Sequence, residues 1–264
     1  MKPSAPVGVF DSGIGGLSIL QALRAELPHE DFVYLADSAH APYGERDDSY
    51  LIERARAIIR HLRERHQIKA LVVACNTATA AAIALLRQEH PDLPIVGVEP
   101  ALKPAAASPG RRIGVMATRA TLASAKFKTL LASLQTQADF ICQPCDGLAR
   151  AIENDDDAET RALCQRYVAQ IVHSGPIDTL VLGCTHYPFA APQITPLLAP
   201  GVQLIDSGAP VARQTRRLLA AAGQLATAPS EGRVQLAASG QTATLQAACL
   251  RWLHLTCRVQ HCDI

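Results

Sequence analysis

The chain has 264 residues, 48% of them hydrophobic, enough to bury the cores of two ordinary domains or one large one. Lysine and arginine number 25 against 24 acidic residues, without a basic block and with few aromatics, which sets aside a nucleic acid or a membrane surface as the main partner. The opening "MKPSAPVGVFDSG" lacks the apolar stretch of a secretory signal, and no run reaches the roughly 18 to 20 apolar residues of a membrane span, so a soluble cytoplasmic protein is expected.

The first strand is "VGVF" (7–10), followed by the helix "LSILQALRAEL"; the second is "FVYLA" (32–36), followed by a long helix near 47–66. That helix places Ile52, Ala55, Ile59 and Leu62 at three- and four-residue steps on one face. "ALVVAC" then precedes the helix "TATAAAIALLRQEH", and "PIVGV" closes the first half. Alternation of this kind marks a mostly parallel sheet flanked by helices. The rhythm restarts in "RRIGVMATRATLASAKFKTLLASL" (111–134), read as a strand ending near Met116 and then one helix. "DDDAETRALCQRYVAQIVHSG" is a helix with an acidic start and a glycine stop. It leads into the strand of "IDTLVLGCTHYPF", and "VQLIDSG" closes the second half. The remainder holds a helix ("PVARQTRRLLAAA"), a strand ("RVQLAAS") and a final helix ("TATLQAACLRWLH"), which should pack on the first half as the chain returns from the second. The expected fold is α/β: two pseudo-symmetric, mostly parallel-sheet domains, residues 1–98 plus 209–264 and residues 99–208, with the active site in the cleft between them.

One stretch is used twice. "IKALVVACNTATA" (68–80) and "IDTLVLGCTHYPF" (177–189) align Cys75 with Cys184, Ile68 with Ile177, Leu71 with Leu180 and Val72 with Val181. Ligands of parallel α/β sheets bind beyond the carboxyl ends of the strands, which is where both cysteines fall. A single buried cysteine there would be core filler. Two at matching places, each followed by polar residues, point to chemistry. A pair of thiols suits a reaction in which one removes a proton from a chiral carbon and the other returns it from the opposite face. The free thiol pKa of about 8.5 falls beside a helix N-terminus or other donors. Asn76-Thr77 and Thr185-His186 offer main-chain N–H groups that can hold a carboxylate and the enolate-like charge that builds on it. His186 is placed to assist Cys184. Asp11, at the end of the first strand in "FDSGIGGLSIL", is the candidate assistant for Cys75, with Ser12 beside it.

The glycines after Asp11 admit a small anionic ligand to the backbone. Ser18 holds the last glycine position of G-x-G-x-x-G and no Lys-Ser/Thr follows, which disfavours a nucleotide. "ADSAHAPYGERD" offers Tyr43 and Gly44 as donors beyond the second strand. The eight cysteines read as thiols in a chain of this size. Cys142 and Cys145 form a lone "CQPC" without a second pair at zinc spacing, so no metal is expected. Cys249, Cys257, Cys262, His254 and His261 follow no ligand spacing and are read as helix packing plus a loose tail.

The blocks "VFDSGIGGLSI", "ADSAHAPYGER", "VVACNTATA", "VGVEPALKPA", "GVMATRATL", "LVLGCTHYPF" and "LIDSG" together resemble glutamate racemase, over residues 7 to about 208. The resemblance implies a cofactor-independent enzyme that interconverts L- and D-glutamate for the peptidoglycan cell wall, with no nucleic acid required, no membrane, and a homodimer as its assembly. It places the catalytic cysteines on Cys75 and Cys184. Cys184 would act on L-glutamate and Cys75 on the D-enantiomer, assisted by His186 and Asp11. Substrate contacts carry over onto Asp11, Ser12, Tyr43, Gly44, Asn76, Thr77, Thr185 and His186, and onto Thr118 and Thr121 in "ATRAT". Glu153 lies where the family has an acidic residue near the histidine, although "QPCDGLARA" departs from the more apolar family version. Two other readings are a related racemase acting on aspartate or a hydantoin, and a bilobal protein that binds an amino acid without turnover.

Overall fold

The computed structural model describes residues 2–107, 111–227 and 230–264. They form two compact units, Met1–Val98 with Gly208–Ile264, and Glu99–Ser207. No described helix is long and apolar enough to cross a membrane.

The first unit holds strands β1 (Val7–Asp11), β2 (Phe32–Ala36), β3 (Ala70–Val73) and β4 (Ile95–Gly97). These runs are almost wholly apolar, because helices cover both faces of a parallel sheet and leave no solvated side to favour alternation. The second unit contains β5 (Arg111–Ala117), β6 (Ala138–Pro144), β7 (Thr179–Leu182) and β8 (Gln203–Ile205). The chain then returns to the first unit with β9 (Val234–Ala238) and β10 (Val259–His261). The sheet orders are β10-β9-β2-β1-β3-β4 and β6-β5-β7-β8, with every pair parallel. Without the two added edge strands, the first order repeats the second strand for strand.

Helix Asp48–His66 starts on Asp47, whose side chain accepts from Tyr50 N, and stops at Gln67 in the left-handed region. Its buried face is Leu51, Ala55, Ile58, Ile59 and Leu62; Ile52, expected on that face, lies at its half-buried margin. The single helix expected after β5 is two, Arg119–Ala123 and Ala125–Ala132. The break is Ser124, extended at φ −63° and ψ 143°, whose hydroxyl accepts from Phe127 N and so caps the second helix. The cysteine-bearing tail is not loose. Cys249 is buried in helix Thr242–Leu253, and Val259–His261 adds to the sheet edge beside β9. At the amino ends of the strands, Lys69 and Glu30 form a fully buried ion pair at 2.5 Å, and Glu30 Oε1 also accepts from Ala226 N at 2.7 Å. That pair fastens the returning segment to the edge of the sheet opposite the one described next.

Candidate active site

In both sheets the chain leaves the inner strand in one direction and returns on its other side, so a topological switch lies between β1 and β3, and another between β5 and β7. Each cysteine sits at such a switch, two residues beyond the end of its strand: Cys75 after Val73, Cys184 after Leu182. The register Phe10↔Val73, extended by Ala74 N donating to Phe10 O at 2.8 Å, brings the end of β1 alongside Cys75. The Cys75 thiol then lies 3.9 Å from Ser12 Oγ, and Ser12 Oγ donates to Asp11 Oδ1 at 3.0 Å. Ser12 N donates to the same oxygen at 2.5 Å. The serine hydroxyl, expected only as a substrate contact, thus stands beside both the sulfur and the carboxylate. Gly16 makes this approach possible: a Cβ there would lie 2.7 Å from Asp11 Cβ and 2.8 Å from the Tyr34 hydroxyl, which itself donates to Gly13 O.

Cys75 is also the N-cap of helix Asn76–Glu89, but no side chain caps it. The first N–H groups of the helix, those of Asn76 and Thr77, therefore have no acceptor within it. Asn76 is buried, and its Nδ2 has no hydrogen-bond partner among the described residues. An unpaired buried donor costs about 1–3 kcal/mol. Here it sits one residue from the thiol, at the positive end of a helix dipole. Gly44 has open space around it, whereas the Tyr43 ring is buried and its hydroxyl donates to Asp37 Oδ2 at 2.5 Å. The Tyr43 side chain is therefore turned inward, and its main chain is what remains for a ligand.

In the second unit, the register Met116↔Leu182 and the bond from Gly183 N to Met116 O at 2.7 Å bring the ends of β5 and β7 together. Gly183 is needed for that contact, since a Cβ would meet Met116 O at 2.8 Å. Beyond it, Cys184 Sγ lies 3.8 Å from His186 Nδ1, and His186 Nε2 lies 2.5 Å from Glu153 Oε2. Glu153 ends helix Leu148–Glu153, so it reaches the histidine from outside the motif. Burial alone would push the His186 imidazole toward its neutral form. The bonds to Cys184 and Glu153 outweigh it and hold the pKa well above the ordinary value. A thiol beside an imidazolium is readied to become a thiolate. Thr185 and His186 are buried with Cys184. Thr118 follows β5 and caps helix Arg119–Ala123; its hydroxyl donates to Thr121 Oγ1 at 2.9 Å.

The expected residues thus gather at the carboxyl edges of the sheets, Asp11, Ser12, Tyr43, Gly44, Cys75, Asn76 and Thr77 in one unit, and Thr118, Thr121, Cys184, Thr185 and His186 in the other. The other thiol pair has a different character. Burial raises Cys142 to about 11, and burial followed by the nearby Cys184 raises Cys145 further, so neither resembles the low-pKa thiol of a redox centre. The residue that sequence reasoning passed over is Asp37, quoted in "ADSAHAPYGERD" and assigned nothing. It is fully buried and accepts from Tyr43, Arg54 and Ser239.

A family model described as Asp/Glu/Hydantoin racemase matches residues 17–215. A glutamate racemase of Ectopseudomonas mendocina is 50% identical over 249 residues, which is 93% of this chain and 94% of that protein. The crystal structure of a glutamate racemase isoform from Bacillus anthracis superposes with a TM-score of 0.88 at 31% identity, covering 98% of each chain. That of glutamate racemase from Francisella tularensis, in complex with D-glutamate, gives 0.84 at 26% identity, covering 99% of this chain and 98% of that one.

Proposed function

The chain belongs to the Asp/Glu/hydantoin racemase family, and from that premise we propose that it interconverts L- and D-glutamate by proton transfer between two thiols and the α-carbon, without a cofactor. The observation that carries this is the matched placement of Cys75 and Cys184 at equivalent strand ends, each beside a polar relay that ends in a carboxylate. The substrate assignment is supported by relatives of about half identity that are named for glutamate, and by the D-glutamate held in the Francisella structure.

In the L-to-D direction the Cys184 thiolate takes the α-proton, helped by the His186 imidazolium. The electron pair left on the α-carbon spreads into the carboxylate. Main-chain N–H groups at the start of helix Asn76–Glu89 and the Asn76 amide are suited to hold that charge. The Cys75 thiol then gives its proton to the opposite face, and Ser12 and Asp11 orient the sulfur. One C–H bond breaks and one forms, and the two sulfurs exchange protonation states. In the reverse direction the roles exchange. The residues proposed to serve the substrate are Asp11, Ser12, the main chain of Tyr43 and Gly44, Asn76 and Thr77 of the first unit, and Thr118, Thr121, Thr185 and His186 of the second. The product suits supply of D-glutamate to peptidoglycan, and a homodimer is the assembly that the resemblance favours.

The test is incubation of purified protein with each enantiomer in deuterated water, without added cofactor. Deuterium is expected at the α-carbon of both, and Cys75→Ala or Cys184→Ala should each abolish turnover. Absence of exchange from either enantiomer would sink the proposal, and a protein that only binds glutamate would give that result.

A further inference from the structure

Asp37 follows β2 directly, and its main-chain N–H continues the ladder by donating to Asp11 O at 2.8 Å. Its carboxylate accepts from Tyr43 Oη at 2.5 Å, from Arg54 Nε at 3.0 Å and Nη2 at 2.8 Å, and from Ser239 Oγ at 2.8 Å. Burial opposes ionisation, but the bonds from Arg54, Tyr43 and Ser239 prevail and hold the pKa below the ordinary carboxylate value. Arg54 is fixed in turn by donating to the main-chain oxygen of Ile264 at 2.8 Å.

A buried ion pair is rarely the cheapest way to stabilise a sheet edge, since apolar residues of similar volume do as well or better. Its presence here calls for something that apolar residues could not do. What it holds is Tyr43. The tyrosine ring belongs to the same buried cluster as Cys75. Its hydroxyl proton is committed to Asp37.

We propose that Asp37, paired with Arg54, is a positioning residue for the Cys75 half of the reaction, fixing through its bond to the Tyr43 hydroxyl the 37–44 main chain that carries the Tyr43 and Gly44 donors. The inference rests on the racemase reading. Because enantiomers have equal free energy, kcat/KM must fall by the same factor in both directions for any variant, and rate alone cannot tell which thiol is impaired. The α-deuterium isotope effect can.

The experiment compares wild type, Asp37→Asn and Tyr43→Phe. The last variant keeps the main chain and ring and loses only the committed hydroxyl, so it remains informative if Asp37→Asn folds poorly. Both variants are expected to lose about tenfold or more in kcat/KM, the scale of a small misplacement of a reacting group. The isotope effect should grow with α-deuterated D-glutamate, from which Cys75 takes the proton, and not with the L-enantiomer. Unchanged isotope effects, or growth on both enantiomers alike, overturn the inference whatever the loss of rate. A wild type that neither racemises nor exchanges overturns the racemase reading itself, and this inference with it.

Discussion

Replacing Glu153 by glutamine isolates the charge behind His186 while keeping the shape of the side chain. The carboxylate oxygen is 2.5 Å from His186 Nε2, and Nδ1 of the same ring is 3.8 Å from Cys184 Sγ. A hydrogen bond between charged groups contributes about 1.5–3 kcal/mol and a neutral one about 1 kcal/mol. Glu153 is only 24% exposed at its side chain, which favours the upper half of the difference of about 0.5–2 kcal/mol, about 1.4 kcal/mol or one pKa unit. The sign follows from the direction of the shift. The raised His186 pKa means that the imidazolium survives to higher pH in the wild type, so the basic limb of kcat/KM should move about one unit lower in the variant. At the optimum, kcat/KM should fall about tenfold, equally with L- and D-glutamate. Stability obeys the same linkage. The contribution of the protonated pair is complete below the ordinary imidazole pKa of about 6.5 and is lost as pH rises through the raised value. Urea titrations should therefore show the variant weaker at pH 6 and converging on the wild type in alkaline buffer. A basic limb that does not move, with activity within twofold of wild type, would refute the argument that Glu153 acts through the charge on His186.

Asn76→Ala removes a buried donor that has no acceptor among the described residues, so unfolding free energy should stay within about 1 kcal/mol or rise, while KM for glutamate increases about tenfold. Denaturant melts and steady-state kinetics check it, and a stability loss above about 2 kcal/mol would mark the amide as structural. Gly183→Ala puts a methyl 2.8 Å from Met116 O and 3.0 Å from Ala117 Cβ, which should cost about 1–3 kcal/mol and displace the turn that carries Cys184. Calorimetry and kcat/KM should fall together; an active variant of undiminished stability would show that the strand end yields without moving the thiol.

The strands that position the thiols were legible because they are buried on both faces. β1, β2, β3 and β7 are short, nearly unbroken apolar runs. Two of the edge strands were not. β6 mixes Asp139 and Gln143 with half-buried apolar residues, and β10 is three residues with a glutamine and a histidine, so neither carries a clean pattern. The break at Ser124 lies among good helix formers and depends on one hydroxyl turning to cap the next turn. At the site, residues within a motif were legible and bonds between motifs were not. His186 lies two residues from Cys184, but Glu153 reaches it from 33 residues away, and Ser239 reaches Asp37 from 202. The hydroxyl beside Cys75 depends on strand register, which fixes neighbours that spacing alone cannot.

The two units repeat one strand order and one cysteine offset, yet their assistants differ, and the proposed reaction says what that difference can change. In the proposed reaction free enzyme has two forms, with the proton on one sulfur or on the other, and each form would accept only one enantiomer. An imbalance of one pKa unit between the thiols would favour one form about tenfold and leave the other scarce, while kcat/KM stays equal in the two directions. On one side His186 is buried, and its bonds to Cys184 and Glu153 outweigh burial and favour the imidazolium. At Cys75, Asp11 would act the other way, because its negative charge disfavours a thiolate. The counterweight available there is the start of helix Asn76–Glu89, with the Asn76 amide, which has no hydrogen-bond partner among the described residues. A positive helix end on one side thus does the work of an imidazolium on the other. A duplicated scaffold can thus carry unlike assistants, since the equal free energy of the enantiomers itself keeps kcat/KM the same in both directions.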